Sequence, residues 1–478
     1  MAENNIIQIN SSLAVTAAEA LDYSTLLVVD CNHNSFSRAT VYGSPDDYST
    51  TLLATSNLRK ALDSAFSASV RPPRVIAGRA KGTAVLSFPS VGDGDIFDFT
   101  VTTEDGGTVA ASFIAGALDT AEEVATALKA DIDLVTDVTD HVTATVVGTG
   151  ASATLELSLV ASTDDFTVTN ITDTITITGV ATEPASNTLA AIREINSAWT
   201  YIVATDHTPA YQLAMAQAAT VLQKPYATST ARAEAYAAWD GVSTPDSNDV
   251  AALFAFNQFD YAHVVYHHLA DNDGVAGTIA YPEAARITEF VFLKPGRDSF
   301  QYNKIGTFPL AQIVGGARPL NTNELFNLND KNASTVISFG GVSVIGGYEG
   351  GGNRMASGIR IETIAVKNYF EQEILRKTQT LFLRFRKLAM NDSDINLFRN
   401  TWASFLDQNV SSGAGQAAAL EPIKPYTIIM PRAADIPFED KADGILQNTT
   451  IICYLDPSID RVVLNMNFTF SDPVLEAA

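Results

Sequence analysis

From residue 26 to residue 267 the sequence alternates short continuous apolar runs with segments of helical spacing, and that alternation is broken once, over about residues 81–183. Nothing else in the chain restricts the fold as strongly. Strands separated by helices build a mainly parallel sheet, whereas the interrupting stretch repeats with a period of two. The regular part reads as a strand at 26–30, a helix over 48–66 after the turn Ser44-Pro45-Asp46, and a strand at 74–79. After the break come a helix near 189–198, a strand at 200–204, a helix at 209–222, a strand at 225–230, a helix at 248–257 and a strand at 263–267. Residues 1–80 hold too few strands for a sheet of their own. They and residues 184–300 are therefore expected to form one discontinuous α/β domain around an insert.

The insert, 81–183, has a composition of its own. Its only basic residues are Lys81 and Lys129 against 17 acidic ones, a net of 2 − 17 = −15, and it has 21 threonines but no Trp, Tyr, Met or Cys. Phe97, Phe99 and Val101 alternate, as do Leu155, Leu157 and Leu159, while Ile175 and Ile177 sit in a threonine-rich run. A helix over 119–131, with Val124 and Leu128 inward, interrupts these strands. Threonine suits strands and the charges suit a wetted surface, so a mostly β domain is expected. The missing Tyr and Trp argue against a strong protein-binding hot spot on it.

Residues 301–478 change character again. Seven glycines between 340 and 352 allow turns that a Cβ would forbid. Residues 359–363 read as a strand, and Phe370, Ile374, Leu381, Phe385 and Leu388 place a helix over about 367–390. The second half of that helix carries Arg376, Lys377, Arg384, Arg386 and Lys387 with no acidic residue among them. A second helix, 394–408, puts Ile395, Phe398, Trp402 and Phe405 on one face, and residues 411–415 read as a flexible joint. Strands follow at 426–430, 449–455 and 461–470. In the last, Val462, Leu464, Met466, Phe468 and Phe470 alternate with Val463, Asn465, Asn467 and Thr469. At the other end, Ile6-Ile7-Gln8-Ile9 is a short β-prone arm. The fold class expected is multidomain α/β and α+β: a split α/β core, an inserted mostly-β domain, and a C-terminal α+β domain ending in an extended strand.

The stretch Met355-Ala356-Ser357-Gly358, the run 359–363 after it, and Tyr369-Phe370 opening a helix through Glu373-Ile374 resemble the tail sheath proteins of contractile-tailed bacteriophages, in the branch first catalogued as a domain of unknown function. The resemblance implies a structural subunit rather than an enzyme, without cofactor. It implies stacked hexameric rings around a tail tube, contraction that drives the tube through the host envelope, and baseplate and tail terminator proteins as further partners. It also implies a virion location after assembly in the host cytoplasm, an insert that projects outward, and terminal arms that add strands to neighbouring subunits. Ile7 and Ile9 at one end, and Val462, Leu464, Met466, Phe468 and Phe470 at the other, are then candidate subunit contacts. Arg376, Lys377, Arg384 and Arg386 would meet an acidic neighbour; the alternative is that they complement the helix dipole and keep the helix soluble. For residues 461–470 the alternative to an arm is a hairpin with 449–455 inside one subunit.

Composition narrows what else the chain could do. A formal charge of −24 opposes general attraction to phosphate backbones, so no direct nucleic-acid contact is expected. Two cysteines, Cys31 and Cys453, make neither a disulfide framework nor a metal-ligand spacing. The N-terminus does not read as a secretory signal, and no apolar run reaches the roughly 20 residues of a membrane helix. His263 and His267 could share a metal only on a helix, and their Val-Val-Tyr context favours a strand. Asp206-His207 follows a strand where α/β folds bind ligands, but no nucleophile elbow accompanies it. The glycines of 340–352 lack the Lys-Ser/Thr of a phosphate loop. An α/β hydrolase or metal-dependent enzyme, and an acidic surface-layer or adhesion protein, stand as the alternative functions.

Overall fold

The computed structural model of the 478-residue chain describes residues 6–9, 25–31, 33, 35, 37–52, 56–67, 71–270, 281–292, 308–339, 341–347, 351–385, 387–410, 419–420 and 422–455. Strands β1 (Ile6–Ile9), β2 (Leu26–Asp30) and β3 (Ala39–Tyr42), helix α1 (Asn57–Phe66) and β4 (Val75–Arg79) come first. Next are β5 (Gly82–Ser87), β6 (Ile96–Thr103), β7 (Thr108–Ile114), α2 (Ala121–Asp133), α3 (Thr136–Thr139), β8 (Val142–Val147), β9 (Thr154–Leu159), β10 (Phe166–Thr169) and β11 (Thr176–Ala181). Then α4 (Ala185–Ile195), β12 (Tyr201–Ala204), α5 (Pro209–Leu222), β13 (Tyr226–Thr230), α6 (Val250–Phe256), β14 (Ala262–Tyr266) and α7 (Pro282–Phe292) restore the alternation. The chain continues through α8 (Thr322–Asp330), β15 (Ser334–Phe339), β16 (Val342–Gly346), α9 (Ile361–Arg384), α10 (Asp392–Asp407), β17 (Tyr426–Ile429), α11 (Phe438–Asp443) and β18 (Thr450–Tyr454).

Among the described residues the central sheet has the order β16-β15-β14-β13-β12-β2-β4-β3. Its interior pairs are parallel, and β16 and β3 run antiparallel at the two edges. The runs Leu26–Asp30 and Tyr201–Ala204 are buried at every position, as strands covered on both faces must be. One face packs Leu189, Ile192, Met215 and Phe254 of α4 to α6; the other packs Leu58, Leu62, Ala284, Ile287 and Ile361 of α1, α7 and α9. β15 and β16, from the stretch beyond residue 300 that the sequence assigned to a C-terminal unit, extend this same sheet.

Residues 82–181 fold into two antiparallel sheets, β10-β6-β7 and β11-β5-β9-β8, around Phe97, Phe99, Val101, Leu155, Leu157 and Phe166. Helix α2 buries Val124 and Leu128 against them, and Thr120 caps it through a reciprocal bond with Glu123. The third core lies between α9, α10 and the sheet β1-β18-β17, where Phe370, Ile374, Phe398, Trp402 and Phe405 meet Ile451 and Cys453. Each fully buried phenylalanine there contributes roughly 1.5–3 kcal/mol. The indole N–H of Trp402 donates to Thr378 Oγ1 at 2.9 Å.

Three local expectations are corrected. Residues 359–363 are not a strand: α9 begins at Ile361, because Ile361, Ile364 and Ala365 recur at helical spacing against the α/β core, and that burial outweighs the β-branched run. The helix consequently spans Ile361–Arg384 rather than 367–390. The expected helix over 48–66 is shorter as well. Tyr48 lies in a turn, and α1 starts only after Ser56, whose side chain accepts from the Arg59 N–H. The expected joint at 411–415 and strand at 461–470 lie outside the described residues.

Candidate assembly surface

The C-terminal sheet is built from both ends of the chain. β18 forms its centre, with β17 on one edge (Ile428 opposite Ile451) and β1 on the other, and both pairings are antiparallel. In the register of β1, Ile7 stands opposite Cys453 and Ile9 opposite Ile451. Alternation fixes the inward face of β18: Ile451, Cys453 and Leu455 are buried, while Thr450, Ile452 and Tyr454 are partly exposed. Burial pushes the Cys453 thiol up to about 12, so it sits in the core as an apolar group. Tyr426 of β17 donates its hydroxyl to Asp407 at the end of α10, 2.6 Å away, tying sheet to helix. Among the described residues, β17 and β1 take the two edges of β18. Val462, Leu464, Met466, Phe468 and Phe470 themselves lie outside the described residues.

The described basic residues of α9 differ in their surroundings. Arg376 and Lys377 lie in mid-helix, and Arg376 forms a forked pair with Glu373 (2.6 Å), an exposed i,i+3 contact that stabilises a helix by only roughly 0.2–0.5 kcal/mol. Lys377 is half-buried. Arg384 is the last helical residue, exposed, with its guanidinium 5.4 Å from the Phe385 ring, so the dipole argument applies to Arg384 alone. Arg386 lies outside the described residues.

The glycine-bearing motif positions α9. Met355 and Ala356 are buried, the Ala356 N–H donates to Ala262 O (2.8 Å), and Gly358 closes the turn at φ +86°, where a side chain would be strained. Farther upstream, a Cβ on Gly347 would lie 1.8 Å from Gly351 O, so those glycines let two backbones touch.

The catalytic candidates are spoken for structurally. His263 lies near the start of β14, and His267 directly follows the strand. His263 donates to Arg354 O (2.8 Å) and His267 to Pro309 O (3.0 Å). Burial, then the Arg286 charge, pulls His263 down to about 3, and burial takes His267 to about 4, so both are neutral. Asp206 accepts from the Thr208 N–H (2.9 Å) in the turn that starts α5, and buried His207 donates to Glu283 (2.7 Å). Asp30, at the carboxyl end of β2, bonds Thr205 and is raised to about 6 by burial. At β2 and β4 that end of the sheet, where α/β proteins hold ligands, is covered by the inserted unit: β5 leaves and β11 returns directly above Cys31. A Cβ on Gly82 would be 2.8 Å from Cys31 Sγ, and one on Gly179 only 2.2 Å from Cys31 O. Among the described residues no group of three His, Cys, Asp or Glu side chains could hold a metal.

Sequence reasoning missed the pairing of β1 with β18, although the β-prone composition of both segments was its signal. It also missed the buried ion pair Arg79–Asp165, which links residues too distant in sequence for any spacing rule.

Fold and site together define a class: an α/β sheet protein carrying a β insert on its ligand edge, with a C-terminal sheet closed by the chain's first strand. No family model and no curated protein matches the chain. Among solved structures it is similar to a chain of the anti-feeding prophage baseplate (11% identity, 97% of this chain and 98% of that chain, TM-score 0.48). It is also similar to the anti-feeding prophage helical sheath in its contracted state (12%, 97% and 98%, 0.47), and to a sheath tail protein from Desulfitobacterium hafniense (12%, 88% and 92%, 0.41). At these identities and TM-scores the likenesses carry no argument about function.

Proposed function

We propose that the chain is a non-enzymatic structural subunit of a contractile phage tail sheath. It assembles with itself into hexameric rings stacked around a tail tube, meets baseplate and tail terminator proteins at the ends, and drives the tube through the host envelope on contraction. The observation that carries the reading is the composite sheet. The four-residue strand β1 completes a sheet whose other strands lie more than 400 positions later, so the same edge of β18 can be filled by the arm of a neighbouring copy. The motif at 355–358 and its helix supply the sequence side of the argument. Lys377 and Arg384, which form no ion pair among the described residues, are the proposed contacts to acidic surface. Against the enzyme alternative, the candidate histidines His207, His263 and His267 are buried on Glu283 and on the carbonyls of Arg354 and Pro309.

The test is electron microscopy of the purified protein and of a variant lacking residues 1–10. Rings or tubes from the parent, and folded protein without tubes from the variant, are expected. Monomers alone at every concentration and salt would overturn the proposal. Lys377→Glu/Arg384→Glu should weaken assembly with an altered salt dependence, and an unchanged salt series would remove those residues from the interface.

A further inference from the structure

The insert is attached to the α/β unit by more than its two connections. Arg79, the last residue of β4, reaches into the insert and forms a bidentate pair with Asp165, Nη1 to Oδ2 at 2.6 Å, and also donates to Phe166 O at 3.0 Å. Both side chains are almost fully buried, 3% and 7% exposed. Beside them the His33 ring stacks on Phe166, centroids 4.6 Å apart, and the Val168 N–H donates to His33 O at 2.6 Å. A second set of bonds closes the stem. Glu183 pairs with Arg38 and accepts from the Lys81 N–H (3.1 Å) and the Thr188 hydroxyl (2.9 Å). Arg38 also donates to Arg79 O (2.9 Å), and the ammonium of Lys81 donates to the carbonyls of Thr163 and Asp164 (both 3.0 Å). The insert thus contributes one buried carboxylate and the core one buried guanidinium. While the units stay together, loss of either partner would leave the other charge buried without its counter-ion.

We propose that the Arg79–Asp165 pair is a latch that seats the insert as a lid over the carboxyl ends of β2 and β4, so that the two units move as one rigid body and the buried Cys31 and Asp30 are reached by solutes only when the latch opens. The proposal is independent of the sheath reading. Exchanging residues 83–182 for a short linker would then uncover Arg79, His33 and Cys31 together.

The latch is tested by the reactivity of Cys31 toward a maleimide in full-length protein carrying Cys453→Ser, with hydrogen exchange followed in parallel. The parent thiol should react only at the rate of rare opening. Asp165→Asn should speed the reaction by about a hundredfold or more, as loss of one partner of a buried pair implies. Faster exchange should be confined to β5, β10, β11 and the end of β4, with α9, α10 and β12 unchanged. Arg79→Met/Asp165→Leu, which removes both charges, should return the reaction toward the parent rate. Should Asp165→Asn fail to fold, Glu183→Gln carries the same comparison through the more exposed outer pair, with an expected acceleration of about tenfold. A parent Cys31 that reacts like an exposed thiol, an Asp165→Asn or Glu183→Gln variant no faster than the parent, or acceleration spread equally over the whole chain would each overturn the latch.

Discussion

The register of β1 on β18 makes a sharp prediction, because Ile7 stands opposite the native cysteine Cys453. Directly opposed residues of an antiparallel pair have Cα atoms about 4.5–5.5 Å apart and share a face, inside the ~4.4–6.8 Å window that a disulfide spans. Ile7→Cys, in protein with Cys31→Ser so that one partner thiol remains, should therefore oxidise to a disulfide with Cys453 in high yield. Two neighbours serve as controls worked from the same register. Gln8 pairs with Ile452, so Gln8→Cys belongs to the other face of the sheet; Ile9 pairs with Ile451, and Ile9→Cys is a diagonal neighbour of Cys453 at roughly 7–8 Å, too far to bond. Non-reducing electrophoresis reads the result. Isolated subunits should give a monomer of increased mobility for Ile7→Cys and almost none for the controls. Assembled material should give a ladder of covalent oligomers if the arm enters a neighbour's sheet. Equal yields from Ile7→Cys and Gln8→Cys would refute the register, and a purely intrachain product from assembled tubes would refute strand exchange while leaving the fold intact.

Acid should destabilise the α/β unit. The histidines His33, His263 and His267 titrate at about 3, 3 and 4 in the fold because burial disfavours their charge. Below their ordinary 6.5 the unfolded chain therefore takes up protons that the folded one does not, and stability falls with pH. Asp30, raised to about 6, works in the opposite sense below pH 6. A net of about two protons between pH 4 and 6 gives roughly 3 kcal/mol per pH unit, which thermal melts across that range, with His263→Gln flattening the slope, would check. Lys331 donates from a wholly buried ammonium to Asp249 (2.6 Å), Glu234 O (2.7 Å) and Ala235 O (3.0 Å). Lys331→Met should cost about 3–5 kcal/mol in denaturant melts by stranding Asp249, and adding Asp249→Ser, which keeps a cap for α6, should recover most of it.

How much was legible in the sequence follows from which patterns are local. The α/β alternation, the acidic period-two insert and the helix of Ile395, Phe398, Trp402 and Phe405 could be read directly, because burial of one face imposes a repeat on neighbouring residues. The start of α9 could not. Ile361 and Thr363 carry strand propensity, and only the α/β core waiting for Ile361, Ile364 and Ala365 makes them helical. The histidines and Asp206 could be picked out as chemical residue types, but whether they face a ligand or a carbonyl depends on chain arriving from elsewhere, here Arg354, Pro309 and the insert above Cys31. Charge spacing on α9 did not reveal that Glu373, one turn earlier, pairs with Arg376. The two contacts on which the proposals rest, Ile7 opposite Cys453 and Arg79 on Asp165, join residues 446 and 86 positions apart. Local sequence sets periodicity, caps and turns because those act over a few residues. Which edge receives a terminal strand, and which buried charge meets its partner, is decided only when the whole chain closes around them.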